Sequence, residues 1–361
     1  MKYFNLILIK CLLILLCLIG FVLHAGIPEK SEITNPEKHF GFKPGTDKML
    51  FDYEKLISYL KKLDAASPKL KLVNIGKSSQ NREMFIAFIS SEQNINNLTK
   101  LKEINRQLAL TPNLTNSHKK QLISDGKVFF LATLSMHSSE VGPAQSAPAI
   151  AYDLITTDDP LTIKWLDDVV YMMVPCHNPD GMDMIVNHFN KYKNTKWDGS
   201  SLPGVYHEYV GHNINRDFVT LSQDETKAIS NIYTEWFPQV MVEKHQMWSS
   251  GPRYFVPPNH DPIAQNINEA LWNWTWVFGS NISKDMTKAG LAGVSQQYAF
   301  DNYWPGSTET CLWKGVIAML TEAASTQYGN PIYVEQNELS VFGKGLSEYK
   351  KSINMPLPWE G

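Results

Sequence analysis

A histidine and a carboxylate stand three positions apart directly after an apolar, strand-like run. The run is VFFLA, and the segment TLSMHSSEVG that follows contains His137 and Glu140. Residues three apart on a continuing strand point to opposite faces, so the two side chains converge only if the chain turns. The intervening Ser-Ser pair and the following Gly-Pro pair permit such a turn. An imidazole and a carboxylate are ordinary zinc ligands, whereas the alternative is a surface turn that holds the two residues by chance.

A third ligand for the same ion is offered by the segment QVMVEKH, which ends at His245. Its apolar residues predict a strand, and that strand would carry His245 to the edge where His137 lies. Alone, His245 would be interpreted as a capping histidine or one at the edge of the core. Together, His137, Glu140 and His245 make the three-ligand set of a catalytic zinc site, which keeps its fourth position for water.

An acidic residue, Glu322, interrupts the apolar run VIAMLTEAAS. Acids are seldom buried without a reason, and a carboxylate at a strand end beside a metal is suited to be the general base for a water on that metal. The alternative is that TEAA opens a helix, in which case Glu322 is a first-turn acid. The residues themselves leave both interpretations open.

Strand-like and helix-like segments alternate along the chain, and they must position these side chains. FDYEKLISYLKKLDAAS and SQDETKAISNIYTEW have helical apolar spacing, whereas KVFFLATL, VVYMMV and QVMVEKH are apolar without alternation. This pattern predicts a single α/β domain with a mixed, mostly parallel central sheet covered by helices on both faces. His137, the HNPDG turn, His245 and Glu322 each lie at or just past the end of an apolar run. We therefore expect them at the carboxyl edge of the sheet, where α/β proteins bind ligands.

Five short motifs occur in the order, and roughly the spacing, of a known family. HSSE, NPDG, NRD, VEKH and a strand-borne Glu near the C-terminus resemble the zinc carboxypeptidases of the carboxypeptidase A type, and NIGKSSQNREMFIAFIS is similar to that family's early hairpin. The resemblance covers roughly residues 50–335. It implies a carboxypeptidase-like fold and one zinc ion with His137, Glu140 and His245 as ligands. It also implies that Glu322 activates the metal-bound water and passes the proton to the leaving amine.

The resemblance assigns residues to the substrate as well. Asn215 and Arg216 match the pair that grips the terminal carboxylate of the substrate, a role that suits the parallel hydrogen bonds of a guanidinium. Taken alone, Arg216 followed by Asp217 would be a surface ion pair. Tyr303 matches the tyrosine that closes over the bound carboxylate, and the resemblance therefore makes it a catalytic residue. Tyr298 is the alternative for this role. The simpler interpretation is that Tyr303 is an ordinary aromatic residue of the core.

For two features of the family's cleft, this sequence does not decide which residue has the role. Glu309 lies where the family has the base of its side-chain pocket; it favours a basic terminal residue if it faces that pocket, and otherwise it is a solvated or helix-capping acid. The family also has an arginine after NPDG that stabilises developing negative charge, a contribution of about 3 kcal/mol for such donors. Here that stretch, MDMIVNHFNKYKNTKW, contains none. His188, Lys191, Lys193 and, from another loop, Arg253 are the candidates to replace it.

The N-terminus predicts export. Lys2, the apolar stretch from Cys11 to Leu23 and the segment LHAG are typical of a secretory signal peptide cleaved near Ala25. An uncleaved N-terminal anchor is the alternative, because Lys10 interrupts the apolar run. No later segment approaches the ~20 apolar residues that a membrane span needs. We therefore expect a secreted or periplasmic protein without stable membrane insertion after cleavage.

This interpretation divides the chain into a signal peptide over 1–25, a lead-in over 26–49 and a catalytic domain over 50–361. Loss of the signal peptide removes two lysines and changes the formal net charge from −3 to −5, which argues against nucleic acid as a partner. It also leaves only Cys176 and Cys311, too few for a disulfide scaffold. A single disulfide and two free buried thiols are both open.

The leading functional hypothesis is a secreted zinc carboxypeptidase acting on the C-termini of peptides or proteins. The first alternative is a related zinc amidohydrolase acting on cell-wall peptides or N-acyl amino acids, since an Asn-Arg pair fits any substrate with a free carboxylate. The second is a non-catalytic peptide-binding protein on the same fold, which the presence of Glu322 with all three ligands disfavours. The sequence carries no indication of oligomeric state.

Overall fold

The computed structural model describes residues 33–202, 212–302, 306–340 and 351–361 of the chain. The helices of this part are α1 Pro36–Phe40, α2 Tyr53–Ala66, α3 Glu92–Asn96, α4 Leu98–Leu110, α5 Asn116–Asp125, α6 Val141–Thr156, α7 Pro160–Asp168, α8 Pro179–Tyr192, α9 Asp224–Trp236, α10 Glu269–Lys288 and α11 Ser307–Trp313. Its strands are β1 Leu70–Lys77, β2 Glu83–Ile89, β3 Val128–Leu134, β4 Val169–Val174, β5 Val240–Met247, β6 Tyr254–Phe255, β7 His260–Ile263, β8 Val294–Ser295, β9 Asp301–Asn302 and β10 Ile317–Ala324. Short 3-10 turns lie at Ile214–Arg216 and Gln336–Glu338.

Within the described residues, eight strands form one mixed sheet in the order β1-β2-β4-β3-β5-β10-β6-β8, and β7 pairs with β9 separately. Strands β4, β3, β5 and β10 run parallel to one another in the middle of the sheet. Strands β1 and β2 form the predicted antiparallel hairpin, and β2 joins β4 antiparallel. The predicted single α/β domain with a mixed, mostly parallel sheet is confirmed.

The central strands are buried on both faces. Leu131 and Ala132 are consecutive in β3 yet belong to two separate hydrophobic clusters, and so do Met241 and Val242 in β5. Because successive side chains of a strand point to opposite faces, one cluster lies on each side of the sheet. Helices α4, α5 and α9 contribute buried apolar residues to the first cluster. Two-sided burial is the reason that these strands read as unalternating apolar runs.

The NPDG motif begins α8 and joins three parts of the structure. Asn178 caps the helix, because its Oδ1 accepts a hydrogen bond of 2.8 Å from the Gly181 amide. Asp180 is buried and pairs with the Arg82 guanidinium at 2.8 Å. A β-carbon on Gly181 would lie 2.6 Å from the β-carbon of Ser138, so glycine allows the HSSE segment to approach this closely. The motif thereby holds α8, the β1–β2 hairpin and the HSSE segment together.

Adjacent strands bring the predicted site residues to the carboxyl edge of the sheet. His137 follows the last residue of β3, Leu134, by three positions, while His245 and Glu322 are part of β5 and β10. His245 and Glu322 are direct partners in the parallel pairing of these two strands. Glu322 therefore lies near the end of a strand, and the alternative in which TEAA opens a helix is wrong.

Two further expectations concern the cysteines and the termini. Cys176 and Cys311 are both buried and free, the second of the two possibilities left open above. Among the described helices, none is long and apolar enough to cross a membrane. The predicted signal peptide over 1–25 lies outside the described residues, and the division at residues 25 and 49 stays a prediction.

Candidate metal site and substrate cleft

His137, Glu140 and His245 form a compact triad at the carboxyl edge of the sheet. The Glu140 carboxylate lies between the two imidazoles, with Oε1 2.6 Å from Nδ1 of His137 and Oε2 2.8 Å from Nδ1 of His245. Ligand atoms of the three residues all lie within 4.8 Å of one another. The structure thus brings together the three residues that the sequence analysis proposed as ligands.

A turn after β3 makes His137 and Glu140 converge. The Glu140 amide donates to the His137 carbonyl at 3.1 Å, which closes the predicted turn through the Ser-Ser pair. Ser135 precedes it in a left-handed backbone conformation, with φ of 48°. Its hydroxyl donates to the Glu140 carbonyl at 2.7 Å and accepts from the Ala144 amide at 2.9 Å. Ser135 therefore ties the end of β3 to the start of α6, a role that the sequence analysis missed.

The electrostatics of the triad suit a divalent cation. Burial alone would raise the pKa of Glu140, but the His245 and His137 imidazoles lower that pKa to about 2. The carboxylate is therefore ionised and already lies against electropositive groups. Two imidazole nitrogens and one carboxylate are the protein ligands of many catalytic zinc sites. Both the chemistry and the spacing of these atoms fit Zn²⁺.

The far nitrogen of each imidazole also lies close to an oxygen of another side chain. Oε2 of Glu243 lies 3.3 Å from Nε2 of His245, and the same oxygen accepts a hydrogen bond of 2.9 Å from Oγ1 of Thr308. Oδ1 of Asn213 lies 3.2 Å from Nε2 of His137. The sequence analysis singled out neither Glu243 nor Asn213. For Glu243 a signal existed, since residues two apart on a strand share a face.

Glu322 faces the triad from β10. Its side chain is buried, and its Oε2 has no hydrogen-bond partner among the described residues. Burial raises the pKa of Glu322 to about 8, and the negative charges of Glu140 and Glu243 act in the same direction. A carboxyl group with such a pKa exchanges its proton near neutral pH, as a general base or acid must.

A cleft of about 410 Å³ joins the triad to polar groups from other segments. The residues that line it are His137, Asn215, Arg216, His245, Ala299, Phe300, Asp301, Gly306, Glu309, Leu320 and Glu322. Thus the cleft combines two imidazoles and a carboxyl group on the sheet with a guanidinium, an amide and two further carboxyl groups.

Asn215 and Arg216 reach the cleft from the 3-10 turn at Ile214–Arg216. Oδ1 of Asn215 accepts a hydrogen bond of 2.9 Å from the Ser307 amide. A β-carbon on Gly306 would lie 2.7 Å from that same oxygen, so glycine at this position allows the two segments to meet. The Arg216 residue is exposed, and its guanidinium donates to the Asn215 carbonyl at 3.1 Å.

Glu309 lies in the first turn of α11 and is one of the residues that line the cleft. Its Oε2 accepts a weak hydrogen bond of 3.3 Å from the Gly306 amide, and its side chain lines the cleft with Asp301. Burial raises the pKa of Glu309 to about 8, and the nearby acids Glu243 and Asp301 act in the same direction. The carboxyl group is therefore largely protonated near neutral pH.

Arg253 and Tyr298 lie away from the cleft. The Arg253 guanidinium packs over the Trp359 ring, 5.5 Å from its centroid. Tyr298 is buried in a cluster with Met247. Neither Arg253 nor Tyr298 is among the described residues that line the cleft, so this structure gives no support to Arg253 as a replacement for the missing arginine. Tyr303 lies outside the described residues.

The other candidates for the missing arginine lie near the end of α8. Nε2 of His188 is 2.9 Å from the Ser200 carbonyl oxygen. Lys191 lies over the Tyr192 ring, and Lys193 donates to a backbone carbonyl at 3.3 Å. None of these three side chains is among the described residues that line the cleft.

Residues 56–251, more than half of the chain, match the family described as zinc carboxypeptidase. The chain therefore belongs to the zinc carboxypeptidase family, which confirms the resemblance found in the short motifs. The matched segment contains the whole triad together with Asn215 and Arg216, whereas Glu322 lies beyond its end.

One curated relative agrees with this assignment. A curated fungal protein named "Probable carboxypeptidase 2", from Arthroderma benhamiae, is 25% identical over 185 residues, which cover 49% of this chain and 30% of that protein. The chain thus matches less than a third of that relative's length.

Solved structures of similar shape include carboxypeptidase A from Helicoverpa armigera, with a TM-score of 0.52 at 14% identity over 80% of this chain and 67% of that one. Thrombin-activatable fibrinolysis inhibitor also has a TM-score of 0.52, at 11% identity over 83% of this chain and 70% of that one. These likenesses confirm the predicted carboxypeptidase-like fold.

Proposed function

We propose that this protein is a zinc-dependent carboxypeptidase that hydrolyses the C-terminal peptide bond of peptides or proteins. One observation carries the proposal: His137, His245 and Glu322 line the same cleft as Asn215 and Arg216. A centre for hydrolysis then stands beside groups that recognise a free carboxylate. Membership of the zinc carboxypeptidase family supports the same conclusion.

The reaction follows from the chemistry of the side chains. One Zn²⁺ held by His137, Glu140 and His245 would polarise the scissile carbonyl and activate a water molecule. Glu322 accepts the proton of that water, and its unpartnered Oε2 is the atom available for it. It then donates the proton to the amine that leaves. A pKa of about 8 suits a group that must both take and return a proton.

Arg216 and Asn215 orient the substrate. The guanidinium binds the terminal carboxylate through charge-assisted hydrogen bonds, and the Asn215 amide supplies a further donor. Because only the last residue of a peptide has this carboxylate, the pair selects the final peptide bond for hydrolysis. Tyr303 remains our candidate for the residue that closes over the bound carboxylate.

Two further acids of the cleft select the substrate side chain. Glu309 and Asp301 both line it, and burial keeps Glu309 largely protonated while the cleft is empty. A terminal residue with an amine or guanidinium would favour the ionised form of Glu309 and pair with it. We therefore propose a preference for basic C-terminal residues, in a protein exported by the signal peptide over 1–25.

A peptide library tests this function directly. Each peptide is supplied with a free and with an amidated C-terminus, incubated with the zinc-loaded protein and followed by mass spectrometry. We expect loss of single residues from the free peptides alone, with basic ends removed fastest. The Glu322→Gln variant should bind zinc but show no loss, whereas Glu235→Gln, which changes a largely exposed glutamate outside the cleft, should act as wild type.

The other outcomes discriminate among the alternatives. Hydrolysis of cell-wall peptides or N-acyl amino acids, with none of the library peptides, would replace the peptidase by the related amidohydrolase. Tight binding of free-carboxylate peptides without turnover by the zinc-loaded protein would replace it by a peptide-binding function. Equal loss from free and amidated peptides would contradict the role of Arg216 and Asn215.

A further inference from the structure

A buried carboxylate stands behind the triad, and the reaction described above does not use it. Glu243 is 2% exposed, on the central strand β5. Its Oε1 has no hydrogen-bond partner among the described residues. Met241, two positions earlier on the same face, is fully buried and apolar. An acid at such a position is costly for stability, so a stabilising role in the core is a poor explanation for it.

The contacts of Glu243 point to a role at the triad. Oε2 of Glu243 lies 3.3 Å from Nε2 of His245, whose Nδ1 lies 2.8 Å from Oε2 of Glu140. The imidazole therefore lies between two carboxylates: Nδ1 is at hydrogen-bond distance from Glu140, and Nε2 is at ion-pair distance from Glu243. A carboxylate beside Nε2 favours the tautomer with the proton on Nε2, and that tautomer presents Nδ1 as a lone-pair donor.

A second contact fixes the carboxylate itself. The Thr308 hydroxyl donates to Oε2 of Glu243 at 2.9 Å. Thr308 lies in the first turn of α11, and the next residue, Glu309, lines the cleft. The rotamer of Glu243, and through it the ring of His245, therefore depends on where α11 begins.

We propose that Glu243 is a positioning residue: it orients His245 and sets its tautomer, so that Nδ1 is available to a metal ion at the triad. The assignment rests on the proposed zinc site and goes beyond it, because it concerns a residue that contacts neither substrate nor ion. Carboxylates in this position typically change metal affinity by about 10- to 100-fold.

The test is the affinity of the full-length protein for zinc, measured by competition with a chromophoric chelator. We expect Glu243→Gln to weaken zinc binding about 10-fold, since it keeps an acceptor oxygen but loses the charge, and Glu243→Ala about 100-fold. Glu225→Gln is the matched control, because Glu225 is also a fully buried glutamate but pairs with Ser79. It should change zinc affinity by less than about twofold.

A spectrum separates positioning from general stability. With Co²⁺ in place of zinc, Glu243→Gln should alter the visible absorption bands, whereas Glu225→Gln should leave them as in wild type. The isosteric Gln variant carries the test if Glu243→Ala fails to fold. Unchanged zinc affinity together with an unchanged Co²⁺ spectrum in Glu243→Gln would overturn the assignment alone. A wild-type protein that binds no zinc would overturn both the assignment and the proposed function.

Discussion

Two carboxyl groups in the cleft share a raised pKa but differ in their neighbours. Burial raises the pKa of both Glu309 and Glu322 to about 8. Glu322 faces the triad, whereas Glu309 accepts from the Gly306 amide and lies near Asp301. We therefore expect the first group to respond to a bound metal ion and the second to respond to the side chain of a ligand.

The raised pKa of Glu309 predicts a pH-dependent preference for basic ligands. A cation favours the ionised form, so binding must release the proton that the empty cleft retains below about pH 8. Affinity for a peptide that ends in lysine should fall by up to about tenfold for each pH unit below about 8 and level off above it. Calorimetry measures this affinity, and the Glu322→Gln background removes the second titrating carboxyl group of the cleft.

Two comparisons belong to the same experiment. A peptide that ends in norleucine has the same length without the charge, and its affinity should change little over this pH range. The Glu309→Gln change should abolish the pH dependence for the lysine peptide. A pH dependence that survives in Glu309→Gln would assign it to another group.

At the level of elements, the segment between the 3-10 turn and α9 is organised around one carboxylate. Asp217 is fully buried and accepts hydrogen bonds from Thr220 Oγ1 at 2.7 Å, from the Gln223 amide at 2.8 Å and from the Ser222 amide and hydroxyl. Burial would raise the pKa of Asp217, but these hydrogen bonds lower it to about 2. The carboxylate thereby fixes the segment that follows Arg216.

The Asp217→Ala change should lower the free energy of unfolding by about 2–4 kcal/mol at neutral pH, because several donors lose a charged acceptor. The folded-state pKa lies below the ordinary value of 3.8, so the contribution is fully present above about pH 4 and is lost as the pH falls toward 2. Urea denaturation of wild type and variant at several pH values measures this difference.

Asp285→Ala serves as the control, because Asp285 is exposed and pairs only with the neighbouring Lys284 among the ion pairs described. Its effect should stay below about 0.5 kcal/mol. A difference for Asp217→Ala that is equally large at acidic and neutral pH would show that the packing and hydrogen bonds of the carboxyl group, rather than its charge, are responsible.

At the level of the whole molecule, the triad connects two strands and a helix that are distant in sequence. His137 and Glu140 lie between β3 and α6, and His245 lies on β5, more than a hundred residues later. The Glu140 carboxylate contacts both imidazoles, and the Gly142 amide donates to Oε1 of Gln246 at 2.7 Å. A bound ion would add its binding free energy to the folded state.

Removal of the metal should therefore lower the melting temperature by several degrees. Zinc at a free concentration a thousandfold above its Kd stabilises a folded protein by about 4 kcal/mol. Differential scanning calorimetry with and without a chelator measures the shift, and metal analysis verifies the removal. The His245→Ala variant should show almost no shift. An equal shift in that variant would mean that the ion acts at another site.

Much of the fold followed from local patterns. The unalternating apolar runs predicted β3, β4 and β5, because burial on both faces removes the need for alternation. Strands β6, β8 and β9 were not predicted. Each has only two residues, so its pairing depends on which strand edge lies beside it rather than on any local period.

The candidate site, like the fold, could be predicted from the sequence only in part. The amino-acid sequence by itself determined the ligand types, their place after strands and the family, since these depend on residue identity and order. Only the tertiary structure decided that Asn213 lies behind His137, that Thr308 binds Glu243 and that Arg253 packs on Trp359. These are contacts between segments far apart in the chain, and the packing of the sheet and its loops, which no local pattern records, determines which segments meet.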